Sequence, residues 1–327
     1  MKIATIGTSK ITKNFLDAVS RNPEAEAYAA YSRNLEKARE FGQPFGMKKF
    51  YDSLEELGAD QEVEGVYIAS PNSLHCGQAL AMLKAGKHVL CEKTLGSNAR
   101  EEELMFQTAS ENQAVLLEAM RPVHDPALKL IRDNLGKLGK IRKVFLEYCQ
   151  YSSRYDAFRE GKTENIFKKE MSAGALMDIG VYCVEALLYL FGEPLDMTAR
   201  AVFLDNGIDG AGSILAEYEG MTADVSYSKI TSSDALSQIQ GENGTLYIEK
   251  VSTPERAFIR YQNGSTEELA IPACSNNMCY ELAYFMEAAA GKENPEYYQR
   301  LTQTAIRMMD CARKQTGLVF PADSKMV

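Results

Sequence analysis

Through about residue 120, short apolar runs alternate with stretches of helical periodicity, and no other feature limits the fold as strictly. Residues 3–6 read as a strand ending at Gly7. Ile11, Phe15, Ala18 and Val19 then recur at helical spacing, and Asn22-Pro23 stops that helix. Residues 25–31 read as the next strand, and 35–41 as a helix closed by Gly42. Ser53-Leu54-Glu55-Glu56 has capping-box spacing, in which hydroxyl and carboxylate satisfy free backbone donors. Residues 63–69 form a strand broken by Pro71, and 74–85 a helix stopped by Gly86. Residues 88–91 and 114–117 are further strands, with a helix capped by Asn98 between them. This alternation predicts a parallel, doubly wound sheet with helices on both faces.

After residue 120 the rhythm changes. The pattern predicts a helix over 126–135, a strand over 141–150 and a long helix over 174–191. Strand-like runs follow at 196–205, 212–218, 222–230, 245–249 and 257–262, and helices at about 277–290 and 295–315. Asn206-Gly207, Asn243-Gly244 and Asn263-Gly264 all fall in this half. Asn-Gly supplies the positive φ of tight hairpins, so a mostly antiparallel sheet is expected. The expected fold is α/β, with one domain over 1–120 and an α+β domain over 121–327. At roughly 150 residues per domain, 327 residues suit two domains.

Composition narrows the function. Apolar residues make up 45% and charged residues 25%, enough for a sizeable core, so disordered and fibrous classes are excluded. A net charge of −9 with no long basic run argues against nucleic-acid or anionic-membrane partners. Seven cysteines without a C-x-x-C pair read as reduced thiols in a reducing compartment. The three histidines, His75, His88 and His124, have no zinc-like spacing, so no metal is expected. No run of about 18 apolar residues occurs, and the first residues are unlike a signal peptide. The expectation is a soluble cytoplasmic protein with a small-molecule partner.

Chemistry concentrates at strand ends. The first βα turn is Gly7-Thr8-Ser9-Lys10-Ile11-Thr12. A dinucleotide fingerprint reads G-x-G-x-x-G or G-x-G-x-x-A there, and Ser9 and Thr12 replace its later small positions. As a string it also fits an ordinary glycine turn. Its place, after a strand and opening a helix, favours a phosphate. The next strand ends Tyr31-Ser32-Arg33, with no acidic side chain for a ribose diol. Ser32 and Arg33 suit a 2′-phosphate, so NADP is expected over NAD, with NAD still possible. Arg33 also fits a plain solvent-facing charge. Ala69-Ser70-Pro71-Asn72 and Cys91-Glu92-Lys93-Thr94 end two later strands, where open α/β sheets hold ligands. Lys93 there can polarise the reacting oxygen of an alcohol or join a proton relay, or it can simply be solvated. His75 lies one helical turn past Asn72. Asp178 and Tyr182, at i and i+4, share one helix face.

Together these motifs resemble the Gfo/Idh/MocA oxidoreductase family, the glucose-fructose oxidoreductase and inositol dehydrogenase group. Its hallmarks are the N-terminal fingerprint, Glu-Lys-Pro, and a Gly-rich stretch leading to Asp-x-Gly-x-His. Here they read as Gly7 to Thr12, Glu92-Lys93-Thr94, and Gly174 through Asp178-Ile179-Gly180-Val181-Tyr182. The resemblance implies an N-terminal Rossmann domain and a C-terminal domain with a large open sheet, used for homodimers or homotetramers. It makes Lys93 the catalytic lysine, Asp178 a substrate-orienting carboxylate, and Tyr182 the proton donor or acceptor in place of the usual His. It places the pyrophosphate against Gly7, Thr8, Ser9, Lys10 and Ile11. It places the nicotinamide side against Ser70, Pro71 and Asn72, with His75, Glu92 and Lys93 alongside. Tyr at 182, with Glu118-Ala119-Met120-Arg121, looks like the dihydrodiol dehydrogenase, glucose-fructose oxidoreductase and NADP-xylose dehydrogenase branch.

Thr94 departs from the motif. X-Pro is the linkage in which cis is cheap, whereas a non-proline cis bond costs roughly 3–4 kcal/mol. Either a trans peptide re-aims Lys93, or the cis form is kept. The expected activity is NADP-dependent hydride transfer on a secondary alcohol or carbonyl of a sugar, polyol or cyclic diol. Arg121 is a candidate substrate contact; Arg121 and His124 both follow the last strand of this half and can reach a cleft there, with a surface role the plainer reading. The competing classes are a catalytically silent NADP-binding regulator and a non-nucleotide binding protein. The loop over 150–172 holds Tyr151, Arg154, Tyr155, Arg159, Lys162, Lys168 and Lys169, a solvated loop or a polar-substrate contact.

Overall fold

The computed structural model describes residues 1–163 and 165–324. The chain divides into two compact units. Among the described residues, 1–120 and 275–303 form the first, and 121–274 with 304–324 form the second.

The first unit holds β1 (Lys2–Ile6), β2 (Glu26–Tyr31), β3 (Lys49–Tyr51), β4 (Gly65–Ile68), β5 (His88–Glu92) and β6 (Leu116–Ala119), all parallel. Their order is β3-β2-β1-β4-β5-β6, so the winding reverses between β1 and β4. Ligands bind outside the strand ends at such a reversal. The crossovers are α1 (Lys10–Arg21), α2 (Leu35–Gly42), α3 (Leu54–Ala59), α4 (Asn72–Lys84) and α5 (Ala99–Glu111). Ser53 and Asn98 cap α3 and α5, each accepting from the N–H three residues on. Strand β3 was not expected: three residues at a sheet edge, one exposed and two half-buried, carry no periodicity.

Successive strand residues face opposite cores. Ile6, Val66, Ile68, Val89 and Cys91 pack on one side, and Ile3, Tyr67, Leu90 and Leu117 on the other. Each such buried side chain contributes about 1.5–3 kcal/mol of transfer free energy.

The second unit begins with α6 (Arg121–His124), α7 (Pro126–Asp133), β7 (Ile141–Cys149) and α8 (Tyr155–Arg159). After α9 (Val181–Phe191) come β8 (Asp196–Phe203), β9 (Asp209–Tyr218), β10 (Met221–Ser228), β11 (Ser237–Gly241), β12 (Gly244–Glu249), β13 (Arg256–Tyr261) and β14 (Thr266–Glu268). The sheet order is β14-β13-β12-β11-β7-β10-β9-β8, and only β7 and β10 pair in parallel. Asn206-Gly207 lies between β8 and β9 and Asn263-Gly264 between β13 and β14, while Asn243-Gly244 leads from β11 into β12, which begins at Gly244. Strands β11 and β14 escaped the sequence reading, because both are short and polar.

Helix α10 (Met278–Ala289) and residues 296–303 of α11 (Glu296–Thr316) belong to the first unit. Residues 121–327 do not all belong to the second unit. Met278, Leu282 and Phe285 of α10 join the cluster of Phe15, Tyr67 and Leu90 in the first, because that face of the parallel sheet needs an apolar cover.

The expected single helix over 174–191 is also corrected. Leu176–Gly180 is a π turn, and α9 follows it. Lys169–Phe191 is long and apolar enough to cross a membrane, yet 89% of its most apolar window is buried inside the protein. Val181 through Leu190 are all buried, Glu185 among them, as in a core helix with no solvent-facing side. Gly174, at φ +112°, leads into the π turn, and a Cβ there would meet Asp209 Oδ1 at 1.9 Å. Asp209 Oδ2 accepts from the Leu176 N–H at 2.7 Å.

Burial pushes the Asp209 carboxyl up to about 6. The folded state therefore holds this proton more tightly than the unfolded chain does. The associated stability is present below about pH 4 and is lost as pH rises through about 6, by about 3 kcal/mol at most. Asp209→Asn is expected to gain melting temperature relative to wild type between pH 4 and 7. Parallel melting curves over that range check it, and a constant difference refutes it.

Candidate functional site

The first unit brings its candidate residues to the carboxyl ends of the parallel strands. Gly7, at φ +115°, ends β1, and a Cβ there would meet the Ala69 carbonyl oxygen at 2.5 Å. Only glycine lets these two strand ends approach so closely. Ser9 is the N-cap of α1 but makes no side-chain cap bond, and Thr8, Ser9 and Lys10 are exposed. Ile11 is half-buried. The first turn of α1 has no acidic residue and begins with Lys10. That cation opposes the helix dipole, so the arrangement costs helix stability and suits an external anion.

At the end of β2, Ser32 donates its N–H to Tyr51 O at 3.1 Å. Arg33 is exposed and forms no hydrogen bond or ion pair among the described residues. Past β4, Ser70 Oγ donates to Gln78 Oε1 at 2.6 Å, and half-buried Pro71 leads into α4. His75 is fully buried. Its ring nitrogens lie 2.9 Å from Thr94 O and 2.8 Å from Ser70 O, so it ties the loops after β4 and β5 together. Burial lowers its pKa, and the charge of Lys93 acts in the same direction.

Lys93 is half-buried, and the Lys93–Thr94 peptide bond is cis. Thr94 is buried, and its hydroxyl accepts from Asn72 Nδ2 at 3.2 Å. Three carboxylates then take three successive N–H groups. Leu95 donates to Glu118 at 2.8 Å, Gly96 to Glu102 at 3.3 Å and Ser97 to Glu101 at 2.8 Å. Tyr67 donates to Glu92 at 2.6 Å. Lys93 is thus carried on a loop held by charge-assisted bonds, the stronger class of hydrogen bond. Sequence reasoning missed these anchors, because Glu101 and Glu102 look like ordinary first-turn acids of α5.

The second unit gathers another set. Asp178 sits in the π turn and Tyr182 in the first turn of α9. Tyr182 is buried, and its hydroxyl accepts from Arg121 Nη2 at 3.3 Å. The Tyr148 ring lies 5.7 Å from that of Tyr182. Asp178 pairs with Lys229, which sequence reasoning did not single out. The Arg121 guanidinium donor fixes where the Tyr182 hydroxyl oxygen points. π turns recur at functional sites. In the 150–172 loop, Arg159 and Lys162 pair with Asp156 and Glu160, and Tyr155, Phe158 and Phe167 form a ring cluster.

Residues 1–120 match the family described as "Oxidoreductase family, NAD-binding Rossmann fold", and residues 128–247 match the GFO/IDH/MocA C-terminal domain. The chain belongs to the Gfo/Idh/MocA family. One relative is the scyllo-inositol 2-dehydrogenase (NADP(+)) IolU of Bacillus subtilis, 42% identical with 99% of both chains covered. Another is the trans-1,2-dihydrobenzene-1,2-diol dehydrogenase of Mus musculus, 29% identical over 98% of both. The 3-ketoreductase KijD10 of Actinomadura kijaniata, solved with NADP and TDP-benzene, shares the fold. Its TM-score is 0.88 at 24% identity, over 97% of this chain and 98% of that one. The Gfo/Idh/MocA assignment accounts for the parallel six-stranded sheet and the separate, mostly antiparallel eight-stranded one.

Proposed function

We propose that the protein is an NADP(H)-dependent dehydrogenase or reductase of a secondary alcohol or carbonyl in a sugar, polyol or cyclic diol. The observation that carries this reading is the Asp178–Tyr182 pair, each side chain touching a cation from another element. A carboxylate and a phenol one turn apart can accept from one hydroxyl and exchange a proton with the next. The names of the inositol and dihydrodiol dehydrogenase relatives agree with it.

The first unit fits the cofactor. The close approach at Gly7, the uncapped first turn of α1 and the free Arg33 are what a dinucleotide phosphate needs. Gly7, Thr8, Ser9, Lys10 and Ile11 would hold the pyrophosphate, and Ser32 and Arg33 the 2′-phosphate. Ser70, Pro71, Asn72, His75 and Glu92 would frame the nicotinamide side. The bound nicotinamide supplies hydride exchange. Lys93 and Tyr182 hold and move the alcohol proton, Asp178 orients a neighbouring hydroxyl, and Arg121 supports the Tyr182 oxygen.

The test is a dehydrogenase screen at saturating NADP over sugars, polyols and dihydrodiols, with thermal shifts alongside. A ligand bound only by the folded state must raise its melting temperature. Turnover of a polyol and a larger shift with NADPH than NADH are expected. A shift without turnover of any alcohol would instead indicate a silent NADP-binding protein.

We also propose that the outer face of β8 and β9 pairs with a second copy. Val202 and Leu215 are exposed there at 57% and 49%, while Ala199, Ile214 and Ala216 on the other face are buried. Sedimentation is expected to give a homodimer or homotetramer, and Leu215→Lys to lower that mass. A monomeric wild type sinks this assignment.

A further inference from the structure

Lys229 follows the last residue of β10. Its backbone is tied on both sides, with its N–H donating to Gly210 O at 2.8 Å and its carbonyl accepting from Ser152 N at 2.9 Å. The side chain is therefore presented from a fixed point. It is 9% exposed, and Asp178, its ion-pair partner, is 23% exposed.

An ion pair this buried is weak evidence for stability, because taking both charges from water offsets most of the attraction. A packed apolar pair would hold the fold as well. The ammonium also has three donors, and among the described residues it gives one, to Asp178. A nearly buried ammonium with donors to spare beside a partly open carboxylate is built to receive oxygen atoms.

We propose that Lys229 is a specificity-determining residue that, with Asp178, reads two neighbouring oxygens of the substrate. The assignment rests on the functional reading above. One hydroxyl donates to the Asp178 carboxylate, and the adjacent oxygen accepts from the Lys229 ammonium. Adjacent diol oxygens are close enough together to meet two neighbouring side chains that are themselves paired. The pair is neutral overall, so it selects an uncharged vicinal diol. It disfavours a monoalcohol, which engages only one of the two groups, and a cationic amino alcohol, which meets the ammonium.

The test compares trans-cyclohexane-1,2-diol, cyclohexanol and trans-2-aminocyclohexanol as substrates at saturating NADP. The wild type is expected to favour the diol over the monoalcohol by about 100-fold in kcat/KM, and to use the amino alcohol less well than cyclohexanol. Lys229→Met is expected to cut the diol-to-monoalcohol ratio by about 10-fold to 100-fold, chiefly through KM for the diol. Lys229→Arg is expected to restore most of the ratio. If Lys229→Met does not fold, the amino alcohol result on the wild type still decides. A ratio unchanged in Lys229→Met, or an amino alcohol used as well as the diol, overturns the assignment while leaving the dehydrogenase reading intact. A wild type inactive on every alcohol overturns that reading itself.

Discussion

Lys93→Met is expected to lower kcat/KM for the accepted polyol by about 10²-fold to 10⁴-fold, the usual worth of a positioned proton-transfer group. Methionine keeps much of the side chain's length and apolar volume and removes the ammonium. The loss should fall on kcat, because the interaction strengthens only as the alcohol oxygen gives up its proton. NADPH binding should stay within a few-fold, since the loop keeps its three carboxylate anchors at Leu95, Gly96 and Ser97. Steady-state kinetics with a parallel NADPH titration check both halves. Full turnover in this variant would remove Lys93 from the reaction.

Arg33→Ala is expected to weaken NADPH by about 10-fold to 100-fold and to leave NADH within about 3-fold. The guanidinium is exposed and has no partner among the described residues, so nothing else in the fold depends on it. The difference should shrink as salt rises, because an exposed charge pair is screened over about 10 Å at 0.1 M ionic strength. Fluorescence titration of both reduced cofactors at two salt concentrations measures it. Equal weakening of the two would show that Arg33 does not read the 2′-phosphate.

Much of the fold was legible in the residues. Strand–helix alternation through residue 120 and the Asn-Gly pairs after it have direct physical meaning, since crossovers and tight hairpins each demand their own periodicity and turn chemistry. The caps at Ser53 and Asn98 were legible for the same reason: a side chain bonds to a backbone only three residues away. Strands β3, β11 and β14 were not, because the pairing of such short segments comes from the neighbouring strands and not from their own pattern.

The candidate residues show the same division. Gly7, Lys93, Asp178 and Tyr182 stand out through local motifs at strand ends and helix starts. The chain alone, through its local periodicity and turn chemistry, called for one parallel and one antiparallel sheet and marked those four positions. Folding over long sequence separations set their partners. His75 reaches the Thr94 carbonyl, 19 residues on, Glu118 reaches Leu95, Arg121 reaches Tyr182, and Lys229 reaches Asp178. It also returned α10 to the first core and opened a π turn under Asp178. Such contacts join residues from 19 to 61 positions apart in the chain. Periodicity acts over a few residues, so they exist only once the sheets and helices have packed.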